Sequence, residues 1–279
     1  MSISLFLLVL LAAFLHASWN VLVKFNLDRL LALFLLQTLM GVMGLVMIMV
    51  FAFPSEASLP YAFVSGALHT GYNLFLARSY KTGELGLVYP VARGTAPLLT
   101  LGASTVFAHD VLSGVASVGI IVLVTGIWLI AVSPSMAAKV DRSTLLFALA
   151  TSVFIGLYTI VDGLGGRASG SASGYTGLVF ILDAIGMLVA GIYLRGFGIF
   201  KNVAPYWRSG IAGAAASGSA YWIVIYAMSI APIAMVAALR ETSILFAIAM
   251  SARLLKEPLT WQRVGGGLLV VVGAMALRA

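Results

Sequence analysis

The chain has 279 residues, of which 62% are hydrophobic and only 9% are charged. A soluble domain carries about 25% charged and about 45–50% apolar residues, so this composition excludes an ordinary water-soluble protein and also a disordered one. The net charge of +7 does not indicate nucleic-acid binding, because the basic residues are scattered singly between apolar runs. The chain has no cysteine, which excludes disulfides, thiolate metal sites and cysteine nucleophiles.

Apolar stretches of about 20 residues recur along the chain, each long enough to cross a hydrocarbon core of about 30 Å as a helix. They cover residues 3–23, 30–53, 60–80, 85–107, 112–132, 143–162, 173–194, 207–229, 233–253 and 260–278. The first is not a signal peptide, because no basic residue precedes it and no clear cleavage site follows. The Gly/Ser-rich segment 163–174 is interpreted as a flexible connection. The sequence predicts an all-α integral membrane protein with ten transmembrane helices.

Lysines and arginines predict the orientation of these spans. Ten spans place both termini on one side of the membrane. The odd-numbered connections carry twelve basic residues, whereas the even-numbered connections and the termini carry only Arg167 and Arg278. This bias predicts cytoplasmic odd-numbered connections and termini outside.

An internal repeat divides the chain into two halves. Shifted by 147 residues, segment 66–130 aligns with segment 213–277 without a gap, and Arg93 falls on Arg240. Each half then holds five spans, and an odd number of spans inverts the second half relative to the first. The sequence predicts two inverted five-helix repeats, residues 1–133 and 143–279, with substrate bound at their interface.

These repeats carry a resemblance to a known family, together with the stretches His16-Ala-Ser-Trp-Asn20, Tyr89-Pro-Val-Ala-Arg93 and Lys256-Glu-Pro-Leu-Thr260. Over essentially its whole length the chain resembles the EamA type of the drug/metabolite transporter superfamily. The resemblance implies a secondary active transporter for a small metabolite, commonly an exporter, in the cell (inner) membrane and without a cofactor. The family is usually drawn with cytoplasmic termini, opposite to the charge bias, and both orientations stay open.

Two arginines lie at depth in repeat-related spans. Arg93 lies about eight residues into the fourth span and Arg240 about seven into the ninth, roughly 11–12 Å deep at the rise of a helix. A charge near the bilayer centre costs about 2.5–3.5 kcal/mol, so it marks a function by default. The functional interpretation is a pair of guanidinium groups that bind a carboxylate or phosphate. The hypothesis from this pair is proton- or exchange-coupled transport of a small anionic or zwitterionic metabolite by alternating access. The structural alternative is that Arg240 pairs locally and Arg93 caps backbone carbonyls of a kinked helix.

Three other ionisable residues, Glu241, His16 and Asp183, are candidates for proton coupling. Adjacent helical residues diverge by about 100°, so Glu241 meets a basic or polar group on another helix instead of Arg240, or it takes up a proton. His16, like His69 in the third span, can switch near neutral pH, or each can be a satisfied hydrogen-bonding residue. Asp183 lies in mid-span with no charge close in sequence and must face protein or water.

Polar and aromatic residues on the same spans are candidates to line a substrate cavity. Besides the two arginines, the predicted substrate-binding residues are His16, Trp19, Asn20, His69, Tyr72, Asn73, Tyr89, Tyr158, Tyr221 and Trp222. The alternative role for these side chains is helix packing and interfacial belts. Lys24 and Asp162, at the ends of the first and sixth spans, are interpreted as solvated helix ends in preference to a gate.

Sequence motifs limit the remaining function classes. No intramembrane protease motif and no phosphate-binding loop is present, so we predict neither an enzyme nor direct ATP hydrolysis. Neither His16 nor His69 has a potential metal ligand three or four residues further along the chain, so no metal site is predicted. A flippase for a lipid or lipid-linked headgroup is the alternative function of the same fold. The predicted partners are a small-molecule substrate and membrane lipid, without nucleic acid, and a homodimer is left open.

Overall fold

The computed structural model describes residues 1–23, 28–82, 85–131, 142–254 and 260–278, and within these ranges the regular elements are helices, without a strand. The α helices are α1 (Ile3–Val23), α2 (Arg29–Val50), α3 (Leu59–Thr82), α4 (Leu85–Phe107), α5 (Gly114–Ala131), α6 (Arg142–Ala168), α7 (Ala172–Arg195), α8 (Gly198–Val203), α9 (Trp207–Ile230), α10 (Ile233–Arg240), α11 (Ser243–Leu254) and α12 (Trp261–Ala276). Side-chain caps begin three of them, because Asp28, Ser171 and Thr260 accept hydrogen bonds from first-turn amides.

The bundle exposes large apolar side chains and buries a group of polar side chains within a mainly apolar core. Large apolar residues are exposed along the outer faces of α1, α2, α5, α7 and α12. Asn73, Thr159 and Asp162 are fully buried, and Glu241 is nearly so. In the described part of the chain, five helices are long and apolar enough to cross a membrane, and α1, α5 and α12 are shorter apolar helices. An apolar exterior over a polar interior suits a protein surrounded by lipid.

The even-numbered connections meet at one end of the bundle, here called the even end. The amide of Ser55 donates to the carbonyl of Ser169 over 2.9 Å, which joins the second connection to the sixth. Asp110 in the fourth connection accepts a hydrogen bond of 2.7 Å from the amide of Ile233 at the start of α10. Arg195 and Asp28, from the seventh and first connections, pair over 2.7 Å.

The predicted flexible connection over residues 163–174 is wrong. Helix α6 continues to Ala168 and α7 begins at Ala172, so Gly163, Gly165 and Gly166 lie inside a helix. They permit close contacts there, because a Cβ at Gly163 would collide with Ile233 and one at Gly165 would collide with the ring of Tyr175. Glycine at these positions serves packing instead of flexibility.

Glycines also bring α5 and α12 together. A Cβ at Gly126 would lie 2.6 Å from the carbonyl oxygen of Gly266, and a Cβ at Gly273 would lie 2.6 Å from that of Gly119. The two backbones therefore touch through small residues, as is common where helices pack in membranes. Helix α8 lies in the seventh connection, where no helix was predicted.

Candidate substrate cavity

The predicted ninth span is broken in its middle. Helix α10 ends at Arg240 and α11 begins at Ser243. Across the break, the amides of Glu241 and Thr242 donate to carbonyls only three residues back, over 3.0 and 3.1 Å. Such tighter turns inside a helix often mark functional positions, and transporters use broken helices to build their binding sites. Arg240 therefore lies at the end of α10, and Glu241 lies in the break itself.

Glu241 forms a buried, two-point ion pair with Arg93 on α4. Nε of Arg93 donates to Oε2 over 2.7 Å, and Nη2 donates to Oε1 over 3.0 Å. Nη1 of Arg93 also contacts Nε2 of His16 at 2.5 Å, and a guanidinium can only donate, so this nitrogen of His16 accepts. Both members of the pair are almost fully buried. The guanidinium of Arg93 therefore already has two protein partners, His16 on α1 and Glu241, which directly follows α10.

Arg240 differs from Arg93 because part of its guanidinium is left over. Its Nη2 lies 3.5 Å from Oε1 of Glu241, which is a long contact to a carboxylate that Arg93 already holds. Its Nε is buried and has no hydrogen-bond partner within the described ranges. Because a buried donor without a partner is costly, this guanidinium can take a further acceptor.

A cavity lies between helices from the two halves of the sequence, and its empty space is about 600 Å³ including the open mouth. The first half contributes α1, α2 and α3, and the second half contributes α6, α7, α9 and α10. The lining residues are His16, Trp19, Leu33, Leu36, Gln37, Met40, His69, Tyr72, Asn73, Tyr158, Val179, Phe180, Asp183, Ser217, Tyr221 and Arg240. Small-molecule sites have this mixture of apolar walls with a few polar groups.

Asp183 on α7 is the carboxylate of the cavity wall. Its Oδ1 accepts from the hydroxyl of Thr70 over 3.3 Å, and the amide nitrogen of Asn73 lies 3.4 Å from each of its oxygens. Within the described ranges, no lysine or arginine pairs with it. The cavity wall thus carries one guanidinium, Arg240, and one carboxylate held only by neutral groups.

Aromatic side chains surround these charges. The ring of His69 stacks on Tyr158 with centroids 4.0 Å apart and meets Tyr221 edge-on at 5.1 Å. Tyr72 meets Tyr158 edge-on at 5.6 Å. These contacts fix the side chains around the cavity without using its polar groups, because aromatic pairs gain from such geometries.

Beyond the cavity, Asp162 on α6 accepts hydrogen bonds from three helices. His69 Nε2 lies 3.1 Å from its Oδ2, the hydroxyl of Tyr221 donates to the same oxygen over 2.5 Å, and the hydroxyl of Tyr175 donates to Oδ1 over 3.1 Å. Asp162 is fully buried. Because His69 and Tyr221 also line the cavity, Asp162 lies directly behind them.

At the even end, Arg167 links the two halves. It donates to Asp110 over 2.8 Å, to the carbonyl of Ala231 over 2.9 Å and to that of Met228 over 3.1 Å. The hydroxyl of Ser55 donates to the carbonyl of Ala168 over 2.7 Å beside it. These contacts hold the even end of the bundle together.

Comparison with known proteins decides the family. Residues 142–279, from α6 to α12, match the model of the EamA-like transporter family. The chain belongs to this family. A solved crystal structure, described only as that of a protein, is similar in fold, with a TM-score of 0.78 over 98% of this chain and 96% of that chain, at 16% sequence identity. No curated protein matches the sequence significantly.

Membership confirms the resemblance found in the sequence. The chain is an integral, multi-pass membrane protein and a membrane transporter of the drug/metabolite type. In the described part of this EamA-like transporter, no group of three His, Asp or Glu side chains could hold a metal ion.

The structure brings most of the predicted binding residues of this transporter to the cavity wall. His16, Trp19, His69, Tyr72, Asn73, Tyr158, Tyr221 and Arg240 line the cavity, and so does the predicted coupling residue Asp183. The side chains of Asn20 and Tyr89, and Lys24 altogether, lie outside the described residues. Trp222 is not in the lining, because its indole donates to Ser173 over 2.9 Å and its ring packs on Phe51.

The structure bears on three expectations about individual side chains. Arg93 is not a lining residue but the partner of Glu241, so the predicted pair of arginines does not face the cavity together. Glu241 has a basic partner on another helix, which is the first of the two alternatives that the sequence left open for it. The interpretation of Asp162 as a solvated helix end is wrong, since α6 runs six residues beyond it and buries it.

Sequence reasoning missed several residues of the site. Tyr175, Gln37 and Ser217 were not candidates, although Tyr175 bonds to Asp162 and the other two line the cavity. Polar residues on apolar spans are a signal that could have found Gln37 and Ser217. Tyr175 follows a Gly/Ser-rich stretch that resembled a loop, so nothing in the sequence placed it in the interior.

Proposed function

We propose that this protein is a secondary active transporter that moves a small zwitterionic metabolite across the cell (inner) membrane by alternating access, in the direction of export that the family resemblance implies. The observation that carries the proposal is the cavity wall with one under-used guanidinium, Arg240, and one carboxylate without a cationic partner, Asp183. A ligand with a carboxylate and an ammonium group complements both.

The transport mechanism rests on two inverted five-helix repeats, residues 1–133 and 143–279. The proposal is supported by the pattern of helix packing, in which α2 packs on α7 and α5 on α12, while α3 packs on α6 as α1 packs on α9. A two-fold relation between α1–α5 and α6–α12 produces such reciprocal pairs. Contacts between the halves can then change while each half stays intact.

Alternating access needs one end of the cavity closed at a time. The contacts of Arg167 and Ser55 close the even end in this arrangement. Away from the even end, the cavity lining includes Leu33, which lies one turn from the start of α2. We propose that transport opens the even end by breaking the pair of Arg167 and Asp110 and closes the opposite end around the ligand.

Counterflow in proteoliposomes tests the proposed ligand class. Three labelled amino acids of different size, L-leucine, L-phenylalanine and L-threonine, are compared with their 2-oxo acids, which lack the ammonium group, and with their amines, which lack the carboxylate. We expect counterflow of at least one amino acid and markedly slower counterflow of both of its analogues. Equal rates for an amino acid and its 2-oxo acid would contradict a role for Asp183.

Two controls complete the test. Protein-free vesicles give the passive leak of each compound, which matters most for the amines. The same proteoliposomes with a headgroup-labelled lipid test the flippase alternative, for which we expect no scrambling above the protein-free level.

A further inference from the structure

We propose that His69 and Asp162 form a proton-binding site at the inner end of the cavity, and that the proton bound there is the one whose movement drives the ligand. This inference rests on the proposed transport function. It assigns the coupling role to His69 together with Asp162, which the sequence did not bring together, and not to the three predicted coupling residues Glu241, His16 and Asp183.

The hydrogen-bond partners of Asp162 are neutral tyrosines and a histidine. Its two oxygens contact one imidazole and two phenols, over 3.1, 2.5 and 3.1 Å. Within the ranges that the structure describes, no lysine or arginine pairs with this fully buried carboxylate. A buried carboxylate without a permanent cation is costly unless a proton accompanies it, on the carboxyl or on the imidazole beside it. The pair can therefore exist with one proton or without it.

The buried charges of the described ranges also favour a proton on this pair. Two guanidiniums, of Arg93 and Arg240, and three carboxylates, of Asp162, Asp183 and Glu241, are almost fully buried, while the partly exposed Arg29 lies over the ring of Trp19 on the cavity wall. The buried groups by themselves leave one negative charge in excess. A single proton on the His69–Asp162 pair makes this buried set neutral, and a zwitterionic ligand leaves it neutral.

The remaining titratable groups on the neighbouring helices are less suited to the role. They are Tyr158 and Arg167 on α6, Tyr61 on α3, Tyr175 and Asp183 on α7, Tyr221 on α9, Arg93 on α4 and Arg240 with Glu241 at the helix break. Glu241 is held by two arginines, and Nε2 of His16 accepts from Arg93. Arg167 pairs with Asp110. Tyr175 and Tyr221 donate to Asp162, and the ring of Tyr158 contacts that of Tyr221. Asp183 faces the cavity and is the proposed partner of the ligand's ammonium group.

The His69–Asp162 pair lies between the cavity and the contacts that join the two halves of the bundle. His69 has its ring in the cavity wall and its Nε2 on Asp162, so a proton can reach the buried carboxylate from the cavity through the imidazole. The pair also ties α3 of the first half to α6 of the second, and Tyr221 adds α9. A change of protonation thus alters contacts between the halves, which is what coupling to alternating access requires.

Two measurements on the full chain test this inference. The first is infrared difference spectroscopy of the purified protein during a pH titration, without any ligand. We expect a carboxyl band that titrates in the wild type and is lost in Asp162→Asn, whereas Glu56→Gln, at an exposed carboxylate of the second connection, leaves it unchanged. A pH difference spectrum of Asp162→Asn that is identical to that of the wild type overturns the proton site.

The second measurement compares counterflow with accumulation driven by a pH gradient, using a mixture of labelled L-amino acids as the probe. Counterflow needs no net proton movement. Asp162→Asn should therefore keep counterflow close to the wild-type rate and lose gradient-driven accumulation by about tenfold or more, the usual scale of coupling between two sites. Accumulation at the wild-type level in this variant overturns the inference.

The outcomes separate the two proposals. Absence of counterflow in the wild type contradicts the proposed ligand class, while the infrared titration still decides the proton site. If Asp162→Asn does not fold, as judged by size-exclusion chromatography, Tyr175→Phe replaces it in the infrared titration. This variant removes one hydrogen bond of 3.1 Å from the carboxylate of Asp162, so the titrating band should move to higher pH, and an unmoved band overturns the site.

Discussion

The guanidinium of Arg93 on α4 holds the carboxylate of Glu241, 148 residues later in the chain, through two hydrogen bonds inside the bundle. The pair joins the two halves of the sequence beside the break between α10 and α11. Arg240, the repeat-related partner of Arg93, is left with a buried donor that no described group satisfies. Two arginines that the sequence makes equivalent therefore differ in role, one in structure and one, by our proposal, in binding.

Substitution of one member of this pair should destabilise the protein. Arg93→Ala leaves the carboxylate of Glu241 buried with only its long contact to Arg240, and removal of one partner from a buried pair costs about 3–5 kcal/mol. We expect a clearly lower apparent melting temperature in detergent. The double variant Arg93→Ala with Glu241→Ala should recover part of the loss. An unchanged melting temperature for Arg93→Ala would show that the pair does not stabilise the bundle.

Arg240→Gln should act on the ligand and not on the fold. The variant loses the charge that we assign to the ligand carboxylate, and a hydrogen bond to a charged group is worth about 1.5–3 kcal/mol, or roughly 10–100-fold in affinity. We expect amino-acid counterflow to need that much more substrate, with a melting temperature near the wild-type value. Arg253→Gln, at an exposed arginine on α11, is the matched control. Wild-type substrate dependence in Arg240→Gln would contradict the assignment.

The contact between α5 and α12 predicts a sharp difference between two glycine substitutions. Gly126→Ala places a methyl group 2.6 Å from the carbonyl oxygen of Gly266, so the helices must separate, at a cost of about 1–3 kcal/mol. Gly102→Ala on α4 meets nothing within 4 Å and should leave the melting temperature unchanged or slightly raised. If the two variants melt alike, α5 and α12 do not pack as described.

A disulfide at the even end should stop transport. The amide of Ser55 already lies 2.9 Å from the carbonyl of Ser169, which brings the two backbones within the range that a disulfide spans. The chain has no cysteine of its own, so Ser55→Cys with Ser169→Cys gives a single, specific crosslink. We expect counterflow to cease on oxidation and to return on reduction, while each single variant is insensitive. Full counterflow in the oxidised double variant would contradict opening at this end.

Hydropathy predicted that the chain forms apolar helices, five of which are long enough in the described ranges to cross a membrane, because lipid imposes length and apolar character on any helix that crosses it. The break at Glu241 was not predictable in the same way, since no Gly or Pro interrupts residues 233–253. Composition also misled at Gly163 and Gly165. Glycine suits both a flexible connection and a close helix contact, and only the approach of Ile233 and Tyr175 decides between them.

The candidate site was predictable in its residue types and not in its pairings. The cost of a charge in a membrane pointed correctly to Arg240 and Asp183 as interior residues. Asp162 was misjudged because the end of the sixth span was placed at this residue, whereas α6 continues to Ala168. A shift of six residues along a helix moves a side chain by about 9 Å, enough to turn a surface group into a buried one.

Asp183→Asn provides the most direct test of the central claim, that the cavity recognises a zwitterion through two opposite charges. The measurement is the ratio of counterflow rates for an amino acid and its 2-oxo acid, two compounds that differ chiefly in the ammonium group. The account predicts that this ratio falls by about tenfold or more in Asp183→Asn, since the variant loses the partner of the ammonium group and also its repulsion of anions. An unchanged ratio, in a folded variant that still transports, would contradict it.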